Sequence, residues 1–443
     1  METIGGRGTD LKLDAASTLL VPVQRLFPAQ WIVVWLKAQG YLWRDRDFTP
    51  EVTFWACVLK QLGRLSARQV EDALAELDPR FAHAVRDGKD FCLARARLPL
   101  ELLRAALRHL GGRAAQCQPR LWHGLRPCFV DGTTATMPRT LKNLAHFGVA
   151  NNQYRASHFP LLRAVFLVGA GLVLDVACGA FGTSELALFI QILQRIPAGG
   201  VWIGDGLYGS FLNLALTLQR GSHVICGRQV GRREKVVKRL SPHSHLERWT
   251  KPRPVHCHAP DLLVGLPDML EVRVISVIIH RPGFRDYPLV LYTTLLDVLQ
   301  YPDEDIVTCY LQRWNIELDI RTLKTAHGLD HLTAKRPDTV LREFLAILVA
   351  FNAVRALQAE THQDVRTLSH TRASEITVRM SLRMSAASPK MRQWLHDHLL
   401  LLLATAKLDQ RLRLPQPRAV VRNRRYPHLS ESRSAWREKY YAA

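Results

Sequence analysis

Acidic residues are scarce in this 443-residue chain: 39 Asp and Glu stand against 60 Lys and Arg, a formal charge of +21. A field of that sign disfavours cationic partners and suits a polyanion, whose binding releases counterions and weakens steeply with salt. Long apolar runs are missing as well. Ala164 to Leu174 and Leu399 to Ala406 are too short to span a bilayer, and an anionic membrane surface is the weaker alternative to nucleic acid. The opening METIGGRGTDLKLD has no apolar core of the kind a signal peptide carries, so the cytoplasm is the expected address. The eight cysteines form no CxxC pair, which argues against both a zinc finger and a disulfide framework. His256, Cys257 and His258 are adjacent, with His243 and His245 nearby; neighbours in sequence point apart, and these read as loop residues rather than a metal site. No internal repeat or low-complexity tract stands out.

What the chain does have is YLQRWNIELDIRTLK, Tyr310 to Lys324. On an α-helix, at about 100° per residue, Tyr310, Arg313, Glu317 and Lys324 fall in a stripe roughly 60° wide. Leu311, Ile316, Ile320 and Leu323 lie beside it and can seat the helix on a core. A phenol, a guanidinium, a carboxylate and an ammonium in one row suit a metal ion on one side and a phosphate backbone on the other. A solvated face of charge pairs is the other reading.

Two more acids stand at the ends of apolar, strand-like runs. PCFVDGTTATMP leads through Cys128 to Val130 into Asp131, and VWIGDGLYGSF leads through Gly204 into Asp205. Either Asp-Gly alone is more often a turn. Together with Glu317 they form an all-oxygen set. Mg²⁺ takes one or two carboxylates plus substrate phosphates, and two such ions about 3.5–4 Å apart suit an in-line phosphoryl displacement.

These motifs resemble a family. The Tyr–two–Arg–three–Glu–six–Lys spacing is similar to the YREK signature of bacterial insertion-sequence DDE transposases of the type-four family, and the segments at Asp131 and Asp205 resemble its two upstream acidic motifs. The resemblance runs from about Phe48 to about Leu357. It implies a ribonuclease-H-like core, two Mg²⁺ ions with Mn²⁺ as a substitute, and cut-and-paste transposition by a homodimer synapsed on two DNA ends. Double-stranded DNA, as terminal inverted repeats and as target, is the implied partner, and the implied address is nucleoid-associated. By the motif match Asp131, Asp205 and Glu317 are the implied catalytic acids and metal ligands, and Tyr310, Arg313 and Lys324 the implied DNA contacts. A metal-dependent nuclease, or a silent end-binding copy, is the alternative. A glycosidase pair leaves Arg313, Lys324 and the charge unexplained.

The expected fold is α/β: a ribonuclease-H-like mixed-sheet core interrupted by a β-rich insertion, with a helical N-terminal domain and a helical, basic C-terminal region. The expected boundaries are 1–120 for a helical end-binding domain, 121–240 for the first part of the core, 241–300 for the insertion, 301–360 for the second part and 361–443 for the remainder. Helices are expected at Phe54 to Leu62, Ala67 to Leu77 and Leu98 to Leu110. Ser66 with Gln69 suits a capping box, and Pro99 suits a first helical turn. Arg104 and Arg108, one turn apart, suit a phosphate grip or an ordinary solvated face. Gly227 to Leu240 packs six basic residues; Arg232, Arg233 and Lys235 are its candidate phosphate contacts, with a disordered loop as the alternative. Trp249 sits among cations where a ring can stack on an exposed base, or else belongs to a core. Thr339 to Gln358 is long and apolar enough for a buried helix, in which Glu343 reads as a capping or pairing residue. Lys390 to Leu403 is a further helical stretch, expected to serve in dimerisation. The tail, with Arg422, Arg424, Arg425, Tyr426 and Trp436, reads as a basic arm or as disordered.

Overall fold

The computed structural model describes residues 18–44, 46–82, 87–113, 121–150, 159–196, 198–229, 235–280 and 286–408, with 432, 434, 435 and 438 beyond. Helices α1 (Val21–Gln24), α2 (Trp31–Ala38), α3 (Pro50–Gly63), α4 (Ala67–Leu77), α5 (Lys89–Arg97) and α6 (Leu100–Gly112) come first. The expected capping box opens α4: Gln69 N donates to Ser66 Oγ at 3.2 Å, and Ser66 N donates to Gln69 Oε1 at 2.8 Å. Pro99 is the N-cap of α6, one position before the first turn. Arg104 and Arg108 are both in ion pairs, with Glu101 and Asp175, each at 3.4 Å.

Strand β1 (Arg126–Thr136) leads to α7 (Leu141–Phe147), β2 (Leu161–Gly169), β3 (Leu172–Ala180), α8 (Glu185–Leu193), β4 (Gly200–Gly204), α9 (Phe211–Gln219) and β5 (His223–Gly227). The β2–β3 hairpin turns through Ala170 and Gly171, both left-handed at φ 53° and 78°. Glycine suits the second place doubly, because a Cβ there meets Val365 Cγ2 at 2.6 Å. Four antiparallel strands follow: β6 (Lys235–Arg239), β7 (Ser244–Thr250), β8 (Met269–Ile279) and β9 (Tyr287–Thr293). Helices α10 (Asp303–Leu311), α11 (Trp314–His327), α12 (Pro337–Ala359), α13 (His370–Ser385) and α14 (Pro389–Thr405) complete the described elements. The alternation matches the expected α/β class with a mixed sheet. No helix among the described residues is long and apolar enough to cross a membrane.

The chain forms two compact units, and β1 is common to both. One holds Met1–Pro119, Gly132–Thr183 and Leu318–Leu408. There β2 lies next to β1 and β3 next to β2, and α12 is buried along almost its whole length. Its Asn352 has no solvent exposure and replaces a strand neighbour for β3: Val173 N donates to Oδ1 at 2.8 Å, and Nδ2 donates to Val173 O at 2.7 Å. Glu343 accepts from Thr333 N, Thr333 Oγ1 and Ala334 N at 2.6–3.2 Å, the pairing role expected of it.

In the same unit His327 and His370 are buried with their Nε2 atoms 2.8 Å apart. One ring must donate and the other accept, so at least one of the two is neutral. Burial, followed by the Arg64 and Arg355 charges, pushes His327 down to about 4; burial, Arg355 and His327 push His370 well below the usual value. Between about pH 6.5, where unfolded histidine titrates, and pH 4, the unfolded chain binds more protons. Stability is therefore complete above about pH 6.5 and falls as pH drops, by about 3 kcal/mol for His327 alone. A urea midpoint that is the same at pH 7.5 and pH 5 would contradict this.

The second unit holds Arg120–Asp131 and Ser184–Glu317 among its parts. Strands β1, β4 and β5 run parallel, and β9, β8, β7 and β6 extend the sheet antiparallel. Buried Arg273 on β8 ties this extension to the helix that follows. Its Nη1 donates to Leu295 O at 3.2 Å and Tyr301 O at 2.8 Å, and its Nη2 pairs with Asp303 Oδ1 at 2.5 Å, the first residue of α10.

Candidate active site

The parallel pairing of β1 with β4 sets Phe129 opposite Ile203. Asp131 and Asp205 each lie two residues further on, leaving neighbouring strands in the same direction. Strands in a sheet are about 4.8 Å apart, so this register brings the two carboxylates to one edge, where open α/β sheets collect ligands. One expectation needs correcting: β1 does not stop at Asp131 but continues to Thr136. It is the pairing with β4 that ends just before Asp131, at Phe129 opposite Ile203. Asp205 Oδ1 accepts from Leu207 N at 2.9 Å and opens the turn Gly206–Tyr208. The glycines around it serve close approach: a Cβ on Gly206 meets Arg228 O at 3.0 Å.

Tyr310 to Lys324 is not one helix. Helix α10 ends at Leu311 and α11 begins at Trp314. Across the junction the backbone tightens to three-residue bonds, Gln312 N to Cys309 O, Arg313 N to Tyr310 O and Ile316 N to Arg313 O, at 2.9–3.2 Å. The straight stripe is thus corrected: Tyr310 sits on one helix, Arg313 in the turn, and Glu317 and Lys324 on the next. Neither Gly nor Pro marks this break.

The turn nevertheless brings Arg313 to the acids. Its Nη2 lies 3.3 Å from Glu317 Oε1. Burial works against the guanidinium charge, yet Tyr310, Glu317, Asp131 and Asp205 together hold its pKa above the usual value. One cation therefore lies within the fields of all three carboxylates. Burial raises the pKa of the Tyr310 phenol, with Arg313 opposing, and the hydroxyl approaches β5 so closely that a Cβ on Gly227 meets it at 3.0 Å. Gly227→Ala should displace that hydroxyl and cost about 1–2 kcal/mol; an unchanged melting midpoint and unchanged DNA affinity would show that the contact is slack.

Two residues not singled out from the sequence join this site. Tyr208 is buried, and its hydroxyl donates to Glu185 Oε2, on the first turn of α8, at 3.4 Å. Burial pushes its pKa up, and Glu185, Asp131 and Asp205 add to the shift in that order. Glu185 is thus a fourth acid whose charge reaches Tyr208 together with those of the two aspartates. Ser184 caps the helix that begins with Glu185, its Oγ accepting from Ala187 N at 3.1 Å. Among the described residues no three His, Cys, Asp or Glu side chains form a ready cage for one ion.

Lys324 lies in the last turn of α11 and makes no ion pair with any described residue. Lys235 is exposed on β6, whereas Arg232 and Arg233 lie outside the described residues, as do Arg422, Arg424, Arg425, Tyr426 and Trp436. Trp249 is a correction. It has no exposure, Nε1 donates to Glu247 Oε2 at 2.9 Å, and its ring meets Tyr292 edge-on at 4.7 Å. A ring with neither face open cannot receive a base; the core reading applies.

A mixed sheet of ribonuclease-H-like order, with Asp131 and Asp205 just beyond the parallel pairing of adjacent strands and Glu317 on a later helix, defines the class. Residues 122–353 match the family described as Transposase DDE domain. The chain belongs to that family of DDE transposases. It is 25% identical over 325 residues, 70% of this chain and 69% of the other, to Transposase InsG for insertion sequence element IS4 of Escherichia coli (strain K12). Among solved structures it has a slight likeness, TM-score 0.39 and 10% identity over 88% of this chain and 84% of that one, to the piggyBac transposase synaptic complex with hairpin DNA.

Proposed function

We propose that this transposase moves an insertion sequence by cut-and-paste, hydrolysing DNA at the terminal inverted repeats and joining the freed 3′ ends to target DNA. What supports the reading is the β1–β4 register, which sets Asp131 and Asp205 side by side, together with the Arg313–Glu317 pair at 3.3 Å, whose guanidinium the charges of all three acids stabilise. In this reading those three acids hold two Mg²⁺ ions, for which Mn²⁺ substitutes. The donor set fits: carboxylate oxygens without sulfur suit a hard cation, which draws the rest of its shell from water and phosphate. When bound, such ions activate the attacking oxygen and stabilise the leaving one.

The chain's own residues prepare the site around them. Arg313 offers a planar fork to a phosphate oxygen beside the acids. Tyr310, kept protonated by burial, donates a hydrogen bond and does not accept one as phenolate. Lys324 holds backbone phosphate as a point charge, and Lys235, Arg232 and Arg233 act likewise on flanking DNA. Residues 1–120 recognise the ends, 121–240 and 301–360 make the core around an insertion at 241–300, and 361–443 supply a helical region and basic tail. The protein works as a homodimer synapsed on two ends, in a bacterial cytoplasm on nucleoid DNA.

Supplying pre-cleaved ends, target DNA and Mg²⁺ tests the reading, and joined product is expected. Cleavage of intact ends without joining would reduce it to a nuclease, and binding without either to a silent end-binding protein.

A further inference from the structure

We propose that a cleft in the N-terminal helical segment receives one unpaired DNA nucleotide, its base stacked on Trp43 and its phosphates held by Arg44, Arg46 and Arg97. The cleft has a volume of about 330 Å³, and its walls include Leu36, Trp43, Phe48 and Leu98 besides the three arginines. Ligand pockets span about 300–1,000 Å³; this one is at the small end, with room for a single nucleoside and not for a base pair. Trp43 and Phe48 give it π-faces, on which any base stacks whatever its sequence.

The arginines give the second half of the argument. Arg44, Arg46 and Arg97 are exposed, and none forms an ion pair or side-chain hydrogen bond with any described residue. Some arginines of this unit are engaged, Arg108 with Asp175, Arg113 with Glu360 and Arg366 with Asp319; what sets Arg44, Arg46 and Arg97 apart is that they line one cleft beside Trp43 and Phe48. Asp47, in the same segment as Arg44 and Arg46, is not among the described lining residues, and Asp45 between the two arginines lies outside the described residues. Arg342 adds a further cation at the Leu98 wall, where its Nε donates to Leu98 O at 2.6 Å. Leu42, on the rim, is 98% exposed. An apolar ligand leaves the cations unanswered, and a bare phosphate leaves the rings unused. A base carrying a phosphate answers both.

This inference rests on the reading of the chain as a transposase acting on DNA. The same chemistry describes a free mononucleotide, so the test separates the two sources. The full-length protein is titrated, in EDTA to prevent cleavage, with duplexes carrying 2-aminopurine either as a one-nucleotide overhang or paired within a blunt end. The expected result is quenching of the overhang probe alone and loss of that quenching in Trp43→Ala. Arg46→Ala should weaken overhang binding roughly tenfold, and by more than it weakens blunt binding. Should Trp43→Ala misfold, the exposed Arg46→Ala still decides. Equal affinity and equal quenching of the two probes overturn the proposal. Displacement of the overhang by micromolar deoxynucleoside monophosphate also overturns it, by making the ligand a free nucleotide. Failure to bind either duplex would instead sink the transposase reading.

Discussion

Asp205→Asn should reduce strand cleavage at DNA ends by at least about 100- to 1,000-fold, the scale lost when a positioned electrostatic group leaves an active site. The substitution is nearly isosteric. An asparagine Oδ1 can still accept from Leu207 N, which Asp205 Oδ1 does at 2.9 Å, so the turn that follows should persist. What disappears is one negative charge from the set around Arg313. Binding of a labelled end in EDTA should be unchanged or slightly tighter, because a repulsion between Asp205 and phosphate is removed. The measurement is a sequencing-gel assay of nicked product at saturating Mg²⁺, with a melting curve as the fold control. Cleavage within threefold of wild type would remove Asp205 from the reaction.

The largest effect on stability should come from Arg273→Ala. The guanidinium is wholly buried and holds Leu295 O, Tyr301 O and the Asp303 carboxylate. Removing it strands Asp303, whose remaining side-chain partner is Ser241. Leaving one member of a buried ion pair uncompensated costs about 3–5 kcal/mol. Asp303 begins α10, the helix that carries Tyr310, so end binding should fall together with stability. Arg273→Met paired with Asp303→Leu should recover much of the loss, since replacing both partners by apolar groups is often close to neutral. Denaturant unfolding followed by tryptophan fluorescence reads both. An Arg273→Ala midpoint equal to wild type would mean that the clamp contributes nothing.

Much of this site was legible because its parts are local signatures. Apolar runs ending in Asp-Gly mark Asp131 and Asp205, and fixed spacing marks Glu317. Gly169 and Gly171 mark the β2–β3 hairpin, and Ser66 with Gln69 marks the start of α4. What was not legible depends on partners distant in sequence. The break at Gln312 and Arg313 has no Gly or Pro to announce it. Arg273 sits in an apolar strand, and only the fold brings carbonyls and Asp303 to it. β7 lies just before a proline-rich stretch, and its Trp249 is surrounded in sequence by cations. Burial follows from Glu247 and Tyr292, which a linear reading does not place beside it. Glu185 meets Tyr208, which follows Asp205 in sequence, and that long-range contact has no local signature.

The buried amide of Asn352 has a further consequence. A terminal strand invites another chain to pair along it, and many sheet proteins risk fibrous self-association by that route. Here one margin, at β3, has its Val173 groups already taken by Asn352. The other margin, β6, presents Lys235, Lys238 and Arg239, all exposed, so two copies approaching there repel. Both margins of the sheet thus carry features that oppose strand-to-strand growth between copies.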